Sequence, residues 1–120
     1  MQFTLALATI VAAAASVTAA PLKRSGTATF YYTATGNRGS CGSYLNDSDS
    51  IVAVSQADMN QGLCGQQVTI QNLNNGQTAT ATVQDTCPGC GSGGLDLSPS
   101  VFNQLGNAAQ GTLPITYWYN

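Results

Sequence analysis

Four cysteines set the strongest constraint on what this 120-residue chain can fold into. They stand at positions 41, 64, 87 and 90, downstream of an apolar N-terminal segment. Cysteines of small secreted domains usually pair, and each disulfide stabilises such a domain by roughly 2–4 kcal/mol. Four cysteines allow three connectivities, of which we favour Cys41–Cys64 with Cys87–Cys90.

The Cys87-x-x-Cys90 spacing is also found in redox sites and in zinc sites. A redox motif normally opens a helix within a βαβ unit, and the sequence predicts no such unit. A zinc site would need Cys41 and Cys64 to join, yet these are isolated residues rather than a second C-x-x-C pair. We therefore expect structural disulfides, no bound metal and no other cofactor.

The N-terminal segment indicates secretion. Residues 1–20 combine an alanine-rich apolar run with small residues at its end, which is typical of a signal peptide. The run is shorter than the roughly 20 apolar residues of a spanning helix, so a membrane anchor is the less favoured alternative. Residues 21–24 end in a Lys-Arg pair typical of propeptide processing, although an unstructured tail is the other interpretation. The predicted mature domain is then 25–120, and its sequon makes Asn46 a candidate glycosylation site.

The charge content excludes several functions. The chain has 3 Lys and Arg residues, 5 Asp and Glu residues and no histidine. So few cations cannot neutralise a row of phosphates, which excludes nucleic-acid binding. Without histidine the chain can form no Ser-His-Asp triad, no Cys-His pair and no His-ligated metal site. Arg38 is the only cation of residues 25–120, which disfavours tight binding of anionic polymers such as peptidoglycan or acidic pectin.

β-Branched and aromatic runs between Gly- and Asn-rich turns predict a mainly β domain. Asn75-Gly76 predicts a hairpin turn, Ser98-Pro99 begins a helix that Gly106 ends, and Ser55 caps a second short helical turn. Many short strands in so small a domain favour a closed barrel, because closure removes exposed strand edges. The predicted strands are 27–35, 51–54, 68–70, 78–83, 95–97 and 113–119.

Two aspartates stand out from the other three. Asp85 ends an apolar strand and Asp96 is flanked by two leucines, and an ionised carboxylate is costly to bury in such surroundings. Paired carboxylates serve glycoside chemistry, whereas the alternative is that each accepts backbone N–H bonds and holds a loop. The remaining aspartates, Asp47, Asp49 and Asp58, lie in polar segments and are expected to be solvated.

The aromatic residues add a second indication of sugar binding. Strand alternation places Tyr31 on the face opposite Phe30, and Trp118 on the face opposite the apolar side of the last strand. An exposed Tyr or Trp near a carboxylate suits stacking on the C–H face of a sugar. The alternative for most of the aromatics is partial burial in the barrel.

Several segments together resemble the expansin family, in particular the fungal single-domain, loosenin-like members and the barwin-related, rare-lipoprotein-A-like proteins. The resemblance covers residues 26–119. It implies a mainly β, six-stranded double-psi β-barrel with two short helices, cross-linked by disulfides and carrying a polysaccharide groove. The matching segments are GTATFY at 26–31, VQD at 83–85, CP at 87–88, LDLSP at 95–99, Phe102, LG at 105–106 and Gly111.

The resemblance also implies roles for individual residues. Asp85 matches the aspartate that expansins need for wall loosening and that corresponds to the general acid of family-45 endoglucanases. Thr29 and Asp96 match groove residues beside it. The catalytic base of those endoglucanases, an Asp after the aromatic pair, is replaced by Thr33, and the histidine of the bacterial lytic transglycosylases is missing. The chain is therefore not expected to be an enzyme.

These observations predict a secreted, monomeric, extracellular or wall-associated protein that loosens wall polysaccharide without hydrolysis. The expected partner is cellulose, chitin or a related glucan, bound by Thr29, Tyr31, Asp85, Asp96 and Trp118, with no nucleic-acid or membrane partner. Within the groove we expect the Thr29 hydroxyl to bond Asp85, no salt bridge to Asp85, and no direct contact between Asp85 and Asp96. The alternatives are an inhibitor of papain-like cysteine proteases, or an effector, that uses loops 41–49 or 87–94, and a structural wall-matrix protein.

Overall fold

The strands of this domain close into a barrel. The computed structural model describes residues 22–120, so the predicted signal peptide at 1–20 lies outside the described residues. The order around the barrel is β1-β5-β2-β4-β3-β6, with β6 paired to β1, which confirms the expected mainly β, six-stranded fold. The strands are β1 Arg24–Phe30, β2 Ile51–Ser55, β3 Gln67–Asn72, β4 Thr78–Cys87, β5 Leu95–Leu97 and β6 Leu113–Tyr119.

Parallel and antiparallel pairs alternate unevenly around the barrel. The pairs β1–β5 and β2–β4 are parallel, and the other four are antiparallel.

The predicted cleavage after Arg24 stays a prediction, and Arg24 is paired with Tyr117 as the first residue of β1. Within residues 22–120, no helix is long and apolar enough to cross a membrane.

Alternate residues of the strands fill the barrel interior. Ala79, Ala81 and Val83 of β4 are buried, while Thr78 and Thr80, which alternate with them, are exposed, as the alternation predicts. The helix α1, Pro99–Leu105, covers the barrel and adds Val101, Phe102 and Leu105 to the core. Two 3₁₀ helices, Gln61–Leu63 and Ala108–Gln110, complete the described elements, whereas the segment after Ser55 forms a turn rather than a helix.

Hydrogen bonds connect both ends of α1 to other parts of the chain. Ser98 precedes the helix as expected, but its hydroxyl does not cap it; it donates to the Asp49 carbonyl at 2.6 Å. At the other end, the Leu105 carbonyl accepts from Asn72 Nδ2 at 2.9 Å and from Asn75 Nδ2 at 3.0 Å. The β3–β4 turn therefore satisfies a carbonyl that the helix leaves without an internal partner.

β1 is shorter than predicted at its C-terminal end, because a carboxylate replaces a neighbouring strand. Asp47 accepts from the Thr33 backbone N–H and hydroxyl and from the Ala34 N–H at 3.2 Å. The chain beyond Phe30 consequently leaves the sheet, and Thr33 is only 2% exposed. Asp47, expected to be solvated, is instead half-buried and holds this loop through its carboxylate.

β4 is longer than predicted and contains a β-bulge. Val52 pairs with Val83 and Ala53 pairs with Asp85, so Gln84 is an extra residue on β4. All three residues are buried, but only Val52 and Val54 belong to the hydrophobic cluster that fills the barrel, so Ala53 points to the opposite, outer face of the sheet. Because paired residues share a face, the bulge directs Asp85 outward as well.

Two disulfides cross-link the loops. Cys41 bonds to Cys64, and Cys87 bonds to Cys90, with Cα–Cα distances of 5.6 and 5.5 Å. This is the connectivity that the sequence analysis favours. The first bond ties the long β1–β2 loop to the segment before β3, and the second closes the turn after β4.

Gly26 is the glycine with the closest backbone approach. A Cβ on Gly26 would lie 1.7 Å from the Gly93 carbonyl oxygen, whereas a Cβ on Gly89 would meet nothing within 4 Å. We expect Gly26→Ala to destabilise the fold by about 3 kcal/mol and to lower Tm by about 15 °C, since the two backbones must separate. Thermal unfolding followed by circular dichroism measures this, with Gly89→Ala as the matched control. Equal Tm values for the two variants would contradict the prediction.

Candidate functional site

Four residues form a row across four neighbouring strands. Thr29 of β1 is opposite Asp96 of β5, Asp96 is opposite Ala53 of β2, and Ala53 is opposite Asp85 of β4. Residues paired across strands point to the same face of a sheet. With strands about 4.8 Å apart, the Cα atoms of the two aspartates are roughly 10 Å apart. The row thus places both carboxylates on one outer face of the barrel, separated by a small side chain.

Asp85 is held by three hydrogen bonds. Its Oδ1 accepts from the backbone N–H groups of Ser40 and Thr86, both at 2.9 Å, and its Oδ2 accepts from the Tyr31 hydroxyl at 2.9 Å. Among the described residues, none of these donors belongs to a Lys or Arg. The carboxylate is therefore fixed by neutral donors, two of them in the backbone.

The Thr29 hydroxyl donates to Asp96 Oδ1 at 3.0 Å, so the expectation that it bonds Asp85 was wrong. The reason is topological, because β5 and β2 separate Thr29 from Asp85. Burial raises the pKa of Asp96, the Thr29 hydrogen bond opposes that shift, and the charge of Asp85 adds to it. Asp96 therefore takes up a proton more readily than an ordinary aspartate.

Tyr31 binds the carboxylate at the Asp85 end of the row. Burial is the main cause that raises the pKa of its hydroxyl, followed by the hydrogen bond and charge of Asp85 and by the charge of Asp96. Tyr31 thus stays protonated at any physiological pH and acts as a hydrogen-bond donor, not as a base.

An open cavity of about 370 Å³ adjoins one end of the row. Thr29 and Asp96 line it, whereas Asp85 and Tyr31 do not. Asp96 is therefore the carboxylate that opens into the cavity. The other lining residues are Thr27 and five residues of the disulfide loop and its surroundings: Cys87, Gly89, Cys90, Gly91 and Gly94.

Cys87, Cys90 and Asp96 bring three potential metal-ligand atoms within 4.8 Å of one another. The two sulfurs are bonded to each other, so neither is available as a thiolate. With its disulfide intact, this cluster therefore offers a metal only the Asp96 carboxylate and serves instead as a cavity wall.

The structure does not bring Trp118 to the other predicted site residues. Trp118 faces outward on β6, with the Lys23 ammonium 5.1 Å from its ring centre. Because Tyr117 pairs with Arg24, Trp118 stands level with residue 23, six residues along β1 from Thr29. That spacing corresponds to roughly 20 Å. Trp118 and Thr29 therefore mark two distant points of the barrel's outer surface.

Ser40 contributes to the site, although the sequence analysis did not predict it. Its N–H binds Asp85, and its hydroxyl is 2.7 Å from that of Thr86. A backbone donor can come from any residue type, so no sequence pattern could reveal it.

Asn46, in the same long loop, is exposed, and its glycosylation stays a prediction.

The negative charges of Asp96 and Asp58 are expected to have opposite effects on the stability of the folded state at neutral pH. Because burial raises the folded-state pKa of Asp96, the folded state binds a proton more tightly than the unfolded state does, and stability falls as pH rises above the ordinary Asp value of about 3.9. Asp96→Asn should therefore be more stable than the wild type at neutral pH, and the difference should vanish in acid.

For Asp58, the Gly93 N–H and the Ser92 hydroxyl lower the pKa, so its stabilisation is present at neutral pH and is lost as pH falls through the lowered value. Asp58→Asn should be less stable than the wild type at neutral pH. Urea unfolding at several pH values measures both effects. If both substitutions changed the free energy of unfolding at neutral pH in the same direction, the predicted opposite roles of Asp96 and Asp58 would be contradicted.

Comparison with known proteins agrees with the fold. The family model described as lytic transglycolase, a double-psi β-barrel, matches residues 23–117. The chain is 40% identical over 98 residues to allergen Asp f 7 of Aspergillus fumigatus, covering 78% of this chain but only 35% of that protein.

Solved structures extend the comparison. An expansin of Clavibacter michiganensis has a TM-score of 0.72 and 32% identity, covering 82% of this chain and half of the expansin. A mutant of that expansin was crystallised with cellohexaose, and it superposes with a TM-score of 0.71 and 31% identity over the same shares. The Streptomyces papain inhibitor has a TM-score of 0.68 and 29% identity, covering 82% of this chain and 94% of that protein.

The family model matches most of the chain, the barrel has the expected six strands, and an expansin is among its similar structures. The chain therefore belongs to the rare-lipoprotein-A-like double-psi β-barrel family and is an expansin-like member of it.

Proposed function

We propose that this protein is secreted, binds cell-wall polysaccharide across the Thr29–Asp96–Asp85 row and loosens it without hydrolysis. The observation that carries the proposal is the row itself, with two carboxylates and a hydroxyl on one outer face beside an open cavity. The similarity to an expansin crystallised with cellohexaose supports a neutral β-linked polysaccharide, such as cellulose or chitin, as the ligand.

Loosening follows from competition for hydrogen bonds. Polysaccharide chains in a wall are held together by hydrogen bonds between their hydroxyl groups. A carboxylate accepts stronger hydrogen bonds than a neutral oxygen does. Asp96, which opens into the cavity, can accept from a glycan hydroxyl, while Asp85 and Tyr31 extend the polar surface along the row. A chain bound in this way is separated from its neighbours without any covalent change.

The arrangement does not favour hydrolysis. Glycoside cleavage with inversion needs an acid and a base on opposite sides of the scissile bond. Here both carboxylates lie on the same face of one sheet, and Asp85 already accepts three hydrogen bonds. Thr33, at the place of the family-45 base, is buried and bonded to Asp47. Thr33 thus offers no carboxylate at that place to activate a water molecule from the far side.

A binding experiment with a matched variant tests this proposal. The secreted protein is mixed with insoluble cellulose, chitin or peptidoglycan, and the bound fraction and the released reducing ends are measured. We expect binding to cellulose or chitin, little binding to peptidoglycan, and no reducing ends. Thr29→Val should weaken binding about tenfold, because Asp96 loses its hydroxyl donor and the cavity loses a polar group.

Thr80→Val makes the same change on an exposed residue of β4 and should bind like the wild type. Reducing ends released at enzymatic rates would refute the non-hydrolytic mechanism. Equal weakening by both variants would refute the role of the row.

Protease inhibition is the second candidate, favoured by the likeness to the papain inhibitor over nearly its whole length. Loops 41–49 and 87–94 are each anchored by a disulfide, and Tyr44 in the first is 63% exposed. Inhibition of papain by the wild type and by Asp85→Asn discriminates the two functions, since an inhibitor using these loops does not need the Asp85 charge. If the protein neither inhibits papain nor binds any glycan, a structural role in the wall matrix is favoured.

A further inference from the structure

A second cavity, of about 190 Å³, lies apart from the row and shares no lining residue with the first. We call it the tyrosine cavity. Its walls come from the start of β1, the segment after β2, the first 3₁₀ helix and the end of β6. The lining residues are Arg24, Asp58, Asn60, Leu63, Tyr117 and Tyr119.

Tyr117 points to a ligand for this cavity. Its side chain is only 1% exposed, yet its hydroxyl forms no hydrogen bond with any residue of 22–120. Every fully buried side-chain oxygen or nitrogen in the described part of the chain has a partner, so this hydroxyl must open into the tyrosine cavity that Tyr117 lines. Buried hydroxyls are normally hydrogen-bonded, so a polar occupant is expected there.

The walls define the chemistry of that occupant. The rings of Tyr117 and Tyr119 meet edge to face with centres 6.2 Å apart, and they form an apolar side together with Leu63. Asn60 offers both a donor and an acceptor. The charges of Arg24 and Asp58 cancel, which suits a neutral ligand more than an ion. The cavity thus combines an aromatic surface with several donors and acceptors.

Asp58 is held in place before any ligand binds. It accepts from the Ser92 hydroxyl at 2.9 Å and from the Gly93 N–H at 2.7 Å. These bonds leave further lone pairs of the carboxylate free to accept. The adjacent residues Gly91 and Gly94 line the first cavity, so the same loop separates the two cavities.

We propose that the tyrosine cavity binds one neutral sugar ring, with Tyr117, Asp58 and Asn60 bonding its hydroxyls and the tyrosine rings contacting its C–H face. The cavity is smaller than the roughly 300–1,000 Å³ of sites for drug-sized ligands, which restricts it to a single ring such as a chain end or branch. Predicted processing after Arg24 would remove the charge that balances Asp58, but it would leave the contacts of Tyr117, Asp58 and Asn60 in place. This inference does not depend on the function proposed for the row.

NMR titration of the secreted protein with glucose and with N-acetylglucosamine tests the proposal, after intact mass has shown whether Arg24 is present. We expect the largest amide shifts at Asp58, Asn60 and Tyr119. Tyr117→Phe keeps the ring and should raise Kd about fivefold, the effect of one lost hydrogen bond. Thr80→Val, at an exposed residue that lines neither cavity, should leave Kd unchanged.

Tyr117→Phe should unfold at the wild-type temperature, since no protein hydrogen bond is lost. If it does not fold, Asn60→Ala at an exposed position replaces it and should also raise Kd. Equal affinity of both variants and the wild type, shifts confined to the first cavity, or no shifts at saturating sugar would each refute the proposal. Cellulose binding by Tyr117→Phe reports separately on the row, so the two proposals can fail independently.

Discussion

Asp85→Asn is expected to abolish the weakening of cellulose or chitin fibres while the barrel stays folded. Asparagine can still accept from the Ser40 and Thr86 N–H groups, and its amide can donate to the Tyr31 oxygen, so the local geometry is retained. What is lost is the negative charge, and with it the strong hydrogen bonds that a carboxylate forms with glycan hydroxyls. Extension of fibre strips under constant load measures the effect.

Asp49→Asn is the control for this change, because within residues 22–120 the Asp49 carboxylate accepts only from the nearby Asn46 N–H, and Asp49 lies outside the row. A second readout is the titration of Tyr31. Burial holds its pKa high, and the Asp85 charge adds to this, so the pKa should fall in Asp85→Asn but stay above that of an ordinary tyrosine. Full fibre weakening by a folded Asp85→Asn protein would show that Asp85 has a structural role only.

Loss of the Cys41–Cys64 disulfide is expected to destabilise the domain strongly while leaving the core untouched. The bond closes a segment with a sequence separation of 23, for which chain entropy predicts a loss of about 3 kcal/mol. For a domain of this size the loss corresponds to a Tm lower by about 15 °C. Calorimetry of the Cys41→Ser, Cys64→Ser double variant measures it.

Cys87→Ser with Cys90→Ser is the matched comparison, because that bond spans a sequence separation of only 3 and constrains the unfolded chain less. Its loss should lower Tm less, but it should weaken glycan binding more, since both cysteines line the cavity beside Asp96. A larger Tm loss from the shorter bridge would contradict this reasoning.

The sequence determined the local elements. Alternation of small or apolar residues with threonine fixed the inward and outward faces of β4, and Asn75-Gly76 marked the hairpin before it. Of these two residues, only Gly76 adopts a positive φ. A type I′ hairpin turn needs a positive φ at both central positions, so the β3–β4 turn is of another type. Pro99 and Gly106 likewise marked the limits of α1. Such features depend on neighbours in the chain, and local patterns therefore predict them.

The tertiary structure alone decided how the site residues meet. The bulge at Gln84 directs Asp85 outward, β5 separates Thr29 from Asp85, and Tyr31 takes the place expected for Thr29. Trp118 alternates as predicted but lies far along β6 from the cavity. These outcomes follow from strand order and register between segments more than 50 residues apart, which the barrel fixes only when it closes. The sequence supplied the polar groups of this surface, and barrel closure determined which of them became neighbours.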